Sequence, residues 1–501
     1  MIKIEMRFQV VIYNVNLGIG LASSGVEYAQ AYRYSALKSL GVEQKYIFLD
    51  FTSVSTVYQL CDNIGVDSKD VLWFYDILLG RKTHPSSLTE TDLKRMFSDY
   101  DLERVGSNLK FKLLEQTYVL AYEDALNKGF YNRLEYVHNY CLVRKDYYSE
   151  KSLYCSEYYT PVNNVAKLYK RVFYQGYLSV LEEYEGGSLG SYFLYDGIYY
   201  PSKEKLFQVF VERLNLTSED TVILDRSTGT AKAVFELKSR VPFKLVVVVH
   251  AEHFVHEGVT EQGILWNNYY DYQFRNKHLV DAFICSTELQ SSILREQLCL
   301  GSDRVKTIPV GFLDTLKGSL ERDRHKFITV SRLSDEKHLD TMVQAFAKVC
   351  KQHNLYLDIY GEGGERSKLE SLIIELGVSD YIKLKGHQNL EDVYENYSTY
   401  LCASSGEGFG LSLLEAVGSG LYVSGFRANY GTPTFTKEGI TGFLLDLPQD
   451  NNYLSEDILV SFADIIERSY LAELDREKVY ELASSYLKDS IVEYWKEFLN
   501  D

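Results

Sequence analysis

Five consecutive apolar residues, Leu245 to Val249, four of them valine, constrain the fold more than any other feature. An apolar run without alternation, rich in β-branched side chains, belongs to a strand covered on both faces. That means a parallel sheet with helices packed on each side. Other segments repeat the theme. Residues 8–13 read as a strand, followed by a loop punctuated by Gly18, Gly20 and Gly25. A helix over 26–40 then ends at Gly41, and 45–50 reads as the second strand. This is the opening of a doubly wound α/β domain.

Between residues 73 and 202 the texture changes. Much of the chain's complement of 42 tyrosines crowds this stretch. The segments 110–114, 118–122, 134–143 and 168–174 are short and separated by polar or glycine breaks. Strands in succession without helices between them predict an antiparallel meander. Tyrosine suits half-buried sheet faces, and equally an interaction surface, because it joins apolar area to a polar tip. After residue 203 the α/β rhythm resumes, with a helix over 207–214 and strands over 221–224, 245–249, 282–285 and 305–308. The meander therefore interrupts one α/β domain. A second follows, with strands over 327–331, 356–360, 382–384, 399–402 and 421–423.

The expected fold class is α/β: two Rossmann-like domains facing a cleft, with an antiparallel β-meander inserted in the N-terminal lobe. The expected divisions are 1–75 and 205–310 for that lobe, 76–204 for the insert and 311–485 for the second lobe. Residues 486–501 form a final helix in which Ile491, Tyr494, Trp495, Phe498 and Leu499 recur at helical spacing. That apolar stripe needs a docking surface, expected on the N-terminal lobe.

A length of 501 residues suits about three domains at roughly 150 residues each. The 53 Lys and Arg against 70 Asp and Glu leave a net charge of −17, which argues against a general nucleic-acid binder. A local cationic site for one phosphorylated ligand remains open. The cysteines at 61, 141, 155, 285, 299, 350 and 402 are scattered without CxxC spacing and read as reduced thiols. No segment approaches the ~18 apolar residues of a membrane span. The first fifteen residues carry Lys3, Glu5 and Arg7 and lack the pattern of a signal peptide. The expected location is the cytoplasm, extending to the inner face of the cell membrane as a peripheral protein.

Ligands of doubly wound sheets bind beyond the carboxyl ends of the strands, so the residues following each strand are the candidates. Arg332 ends the 327–331 strand and Lys337 lies five residues on. Two cations there suit a diphosphate, although an ordinary solvated pair reads the same way. The strongest local signal runs from Ser404 to Glu415, Ser-Ser-Gly-Glu-Gly-Phe-Gly-Leu-Ser-Leu-Leu-Glu. A glycine loop that follows a strand and opens a helix presents unpaired N–H groups to an anion. Glu407 in the loop and Glu415 in the helix can meet different hydroxyls of one sugar or ribose. His250 ends the 245–249 strand, where either a sugar contact or a satisfied buried histidine fits. His250, His253 and His256 invite a metal reading, but their spacing does not set three ligands on one face. Asp99-Tyr100-Asp101 is a DxD tripeptide, which by itself does not specify a metal site.

Glu407 and Glu415 form the E-x7-E element of retaining GT-B glycosyltransferases, and Arg332 with Lys337 resembles their diphosphate-binding pair. The likeness extends to residues 13–20, 23–33, 144–147, 154–158, 249–253 and 265–274. Together these are similar to the A subunit (GtfA type) of the accessory Sec glycosyltransferase, which modifies serine-rich repeat adhesins of Gram-positive bacteria. The resemblance spans nearly the whole chain, meander included.

What the resemblance implies is a GT-B enzyme that moves a sugar from a UDP-sugar to Ser/Thr hydroxyls with retention and without a metal or other cofactor. The sugar is N-acetylglucosamine or glucose, a choice that depends on the space around C2. A catalytically silent paralogue, the B subunit, is the implied partner, and the meander is implied to bind that partner and the acceptor. Arg332 and Lys337 are implied to hold the diphosphate, with Glu336 beside them and the Gly18 loop approaching it. Glu407 and the N–H groups of Phe409, Gly410 and Leu411 are implied to grip the sugar. Glu415 is assigned to the ribose, His387 to the neighbourhood of the uracil and His250 to the sugar. Two other readings stand beside this one. Related enzymes with a similar insert glycosylate wall teichoic acid, and a non-catalytic adhesin-binding subunit would share the fold.

Overall fold

The computed structural model describes residues 11–21, 24–176, 178–185, 188–260, 263–318 and 321–500. Residues 8–10 of the first expected strand, and Ser23 of the glycine loop, lie outside the described residues. The chain separates into two compact units: Met1–Val247 with Tyr272–Asp281, and Val248–Asp271 with Ala282–Asp501.

In the first unit the parallel strands run in the order Lys244–Val249 (of which residues 244–247 fall in this unit), Thr221–Leu224, Val11–Asn16, Glu43–Phe48, Val71–Trp73. Leu245 to Val249 are all buried, as an uninterrupted apolar run requires. The first helix, Gly25–Ser39, starts at a capping box in which Ser24 and Glu27 satisfy each other's backbone N–H groups. Sequence order reverses at Val11–Asn16, which lies between a late strand and an early one.

Ten antiparallel strands, from Asp101–Val105 to Ile198–Tyr200, interrupt this α/β framework, each paired with the next in sequence. Two local expectations change. The stretch 134–143 is two strands, Tyr131–His138 and Cys141–Ser149, because Asn139 and Tyr140 both adopt left-handed φ, 48° and 60°, and reverse the chain. Residues 73–100 hold helices Phe74–Leu79 and Glu90–Met96 rather than strands. Gly80 closes the first in the left-handed region, and a Thr89–Asp92 capping box opens the second. The sheet also carries a buried ionic cluster. Arg171 reaches Glu157 at 2.6 Å and Glu182 at 2.8 Å on the flanking strands, and Tyr75 of the Phe74–Leu79 helix donates to Glu182.

The second unit contains a six-stranded parallel sheet in the order Ile382–Gly386, Tyr356–Tyr360, Lys326–Val330, Thr399–Cys402, Tyr422–Phe426, Leu444–Leu445. One face is covered by helices Leu339–His353 and Glu456–Leu471, the other by Leu411–Gly418 and Arg476–Ser484. The same unit holds the parallel pair Ala282–Cys285 and Val305–Thr307 and the hairpin Phe254–Thr260, Gly263–Trp266. The final helix, Lys488–Asn500, buries Ile491, Trp495 and Phe498, while Tyr494 stays exposed. Two parallel α/β sheets with an antiparallel sheet inserted in the first make up the expected architecture. Among the described residues no helix is long and apolar enough to cross a membrane.

Candidate active site

In the second unit, Lys326–Val330 pairs with the next strand in sequence, Tyr356–Tyr360, on one side and with Thr399–Cys402 on the other. Strand order therefore switches direction here, and connections leave the two central strands toward opposite faces. A crevice beyond the strand ends follows from that topology. The loop after the first strand carries Arg332, Glu336 and Lys337, and the loop after the second carries 404–410 and opens into helix Leu411–Gly418.

Close packing holds these loops. Gly361, at φ 130°, approaches Ser331 so closely that a Cβ would lie 1.9 Å from its carbonyl oxygen. The Ser405 N–H donates to the Glu336 carbonyl at 3.2 Å, stitching the two loops together. Beneath them, the Tyr400 hydroxyl donates to the Val330 carbonyl at 2.8 Å and pairs with Ser412 Oγ at 2.9 Å. One tyrosine thus ties a strand end to the start of the helix.

Lys337 Nζ donates to Glu407 Oε1 at 2.5 Å, and Ser404 donates to the same oxygen at 2.8 Å. Burial works to lower the Lys337 pKa, but the adjacent Glu407 carboxylate prevails and holds it above the ordinary lysine value. Arg332 is different: its side chain is 76% exposed and pairs with Glu336 at 3.2 Å. Burial works to raise the Glu336 pKa, but hydrogen bonding and the charges of Arg332 and Lys337 bring it below the usual value. Glu415 lies in the Leu411–Gly418 helix and accepts from the Tyr394 hydroxyl at 2.8 Å. Burial pushes its carboxyl pKa up, and the Tyr394 hydrogen bond pulls the other way. Gly410, at φ 83°, caps that helix and leaves the first-turn N–H groups without helical acceptors. A half-buried lysine, an exposed arginine and helix-start amide donors within two neighbouring loops can receive a diphosphate, and the carboxylates can receive sugar hydroxyls.

His250 reaches this region through its backbone. A Cβ on Gly408 would lie 2.1 Å from the His250 carbonyl oxygen, so only glycine permits the contact. The Tyr270 hydroxyl accepts from both the His250 and Ala251 N–H groups at 3.0 Å. His253, fully buried, is bonded to Tyr430 and Gln297. The side chain of His256 lies outside the described residues. Asp99 and Asp101 are exposed. Among the described residues no three His, Cys, Asp or Glu side chains converge as metal ligands.

His387 follows strand Ile382–Gly386 and is exposed. Gly18, in the first unit, lies where a Cβ would press on Asp50 at 3.1 Å. Within the second unit the structure brings together Arg332, Glu336, Lys337, Glu407 and the loop entering the Leu411–Gly418 helix. Three further residues complete the region and escaped sequence reasoning: Tyr394, Tyr400 and Tyr430. Ser404 opens the glycine-loop signal read from the sequence, where it carried no role of its own. The tyrosines were not distinguishable among so many.

Comparison with known proteins matches residues 315–474 to the family model "Glycosyl transferases group 1" and residues 101–186 to "GtfA extended beta-sheet domain". The chain is 40% identical, over 98% of its own length and 99% of the relative's, to the UDP-N-acetylglucosamine–peptide N-acetylglucosaminyltransferase GtfA subunit of Streptococcus pneumoniae. The crystal structure of the pneumococcal O-GlcNAc transferase GtfA in complex with UDP and GlcNAc superposes with a TM-score of 0.89 at 39% identity, covering 99% of both chains. A crystal structure of a GtfA/B complex gives a TM-score of 0.82 at 38% identity, over 98% of this chain and 99% of the other.

Proposed function

We infer what the site does from one premise: this chain belongs to the family of GtfA subunits of UDP-N-acetylglucosamine–peptide N-acetylglucosaminyltransferase. On that reading it is a retaining GT-B glycosyltransferase that moves N-acetylglucosamine from UDP-N-acetylglucosamine to serine or threonine hydroxyls. The acceptor is a serine-rich repeat adhesin. It works with a catalytically silent B subunit, and the inserted antiparallel sheet is the surface for partner and acceptor. The observation that carries the reading is the Lys337–Glu407 pair at the switch point of a parallel sheet, beside the open start of a helix.

Departure of UDP develops negative charge on the diphosphate. On this reading Arg332 and Lys337, with the N–H donors at the start of the Leu411–Gly418 helix, absorb it without a divalent ion, and the N–H groups of Phe409, Gly410 and Leu411 grip the sugar. Donor binding recruits Lys337 to the diphosphate and frees Glu407, held by Ser404, to accept from the sugar hydroxyls. His250 faces the sugar and Glu336 steadies Arg332. Glu415 accepts from the ribose and His387 lies near the base. Gly18 is assigned to the diphosphate on the resemblance alone. With no covalent nucleophile in this scheme, the acceptor hydroxyl attacks on the face that UDP leaves, within an ion-pair-like state, and passes its proton to the departing diphosphate.

The test is UDP release from UDP-N-acetylglucosamine with the B subunit and a serine-rich peptide. Glu407→Gln should lower it by about a hundredfold or more, as loss of a transition-state contact does. A glycosyl adduct trapped on Glu407 would contradict the ion-pair route.

A further inference from the structure

Tyr430 is fully buried in the turn between strand Tyr422–Phe426 and helix Gly431–Phe435. Its backbone clasps the Glu407 loop. The Tyr430 and Gly431 N–H groups both donate to the Glu407 carbonyl, and the Glu407 N–H donates to Asn429 O at 2.8 Å. A Cβ on Gly431 would lie 2.3 Å from the Phe409 carbonyl oxygen, so the two loops touch along their length. The side chain points elsewhere: its hydroxyl pairs with His253 Nδ1 at 2.9 Å.

His253 ends a segment that is pinned at every residue. Tyr270 holds His250 and Ala251, Gln290 donates to the Ala251 carbonyl at 2.9 Å, and Asn267 donates to the Glu252 carbonyl at 3.2 Å. The remaining ring nitrogen of His253 meets Gln297 Oε1 at 2.9 Å. A carboxamide oxygen only accepts, so a neutral His253 carries its proton on Nε2 and Nδ1 accepts from the Tyr430 hydroxyl. The chain of donors runs one way, from Tyr430 through His253 to Gln297.

We propose that Tyr430 is a positioning residue whose hydrogen bond to His253 fixes the Glu407 loop against the segment that carries His250. This rests on the functional reading above. Loss of the hydroxyl removes the Tyr430 hydrogen bond to the buried His253 Nδ1, and the Glu407 loop loses that anchor to the segment while keeping the Gly408 contact with His250. The consequence falls on geometry that matters at the transition state, and less on holding the donor.

Steady-state turnover of UDP-N-acetylglucosamine by the full chain with its B subunit and a serine-rich peptide tests this. Tyr430→Phe should lower kcat about tenfold while KM for the donor stays within about twofold, with a melting temperature lowered by a few degrees at most and the chain fully folded at the assay temperature. Gln297→Leu, at a half-exposed site suited to folding, should lower kcat a few-fold with the same split. If Tyr430→Phe does not fold, Gln297→Leu decides alone. Wild-type kcat in both variants overturns the proposal, and so do losses confined to temperatures at which the variant unfolds. A wild-type enzyme that never turns over the donor sinks the functional reading and the positioning role of Tyr430 with it. One that turns over while the variants match it sinks only the positioning role.

Discussion

Lys337 and Glu407 hold each other's charge at 2.5 Å, and replacing either strands the other in a half-buried site. Lys337→Met should therefore cost more activity than Arg332→Met, whose exposed guanidinium starts from solvent. We expect kcat to fall by ~10²–10³ for Lys337→Met, measured as UDP release at saturating donor. Glu415 gives a second prediction. Its carboxyl titrates above the ordinary value near 4.3 because it is buried, so the folded state holds that proton more tightly than the unfolded chain. Its stability contribution is thus fully present below the unfolded value and is lost as pH rises through the folded one. If Glu415 receives the ribose, as proposed, the ionised carboxylate is the stronger acceptor for its hydroxyls. Donor KM should rise as pH falls toward Glu415's raised value, earlier than for an ordinary glutamate. Glu415→Gln should show a high donor KM without that acidic limb.

At the scale of elements, glycines and one ionic cluster set the geometry. Gly408→Ala places a Cβ 2.1 Å from the His250 carbonyl oxygen, backbone against backbone, with no flexible side chain to yield. Overpacking of that kind costs about 1–3 kcal/mol, to be read by denaturant unfolding, and activity should fall alongside. Arg171 joins three sheet strands, and Tyr75 and Tyr147 add hydroxyls to its carboxylates. Arg171→Met leaves Glu157 and Glu182 buried without their cation and should cost about 3–5 kcal/mol. Replacing both glutamates by leucine in the same chain should recover much of that loss. The parallel strands were legible because apolar runs and glycine stops are local signals. The turn at Asn139-Tyr140 was not: Tyr140 lacks the glycine usual at such a position, so one long strand was the natural reading. Arg171 was equally hidden, since its carboxylates come from other strands.

For the whole molecule, the E-x7-E spacing and the Arg332–Lys337 pair pointed to the two loops of the second unit that carry the proposed chemistry. What no spacing could reveal is that the two loops meet, because their adjacency follows from the sheet order that sets Lys326–Val330 beside Thr399–Cys402. Tyr394, Tyr400 and Tyr430 support the site from positions that only folding brings near it. On the proposed reading, protein cations and helix amides take up the charge of departing UDP. This is tested most directly by UDP release from UDP-N-acetylglucosamine, with B subunit and serine-rich peptide present, in excess chelator. The wild-type rate should be unaffected, and the Arg332→Met/Lys337→Met double variant should fall by about a thousandfold or more. A wild-type rate abolished by the chelator, or a double variant that keeps most of its turnover, would contradict it.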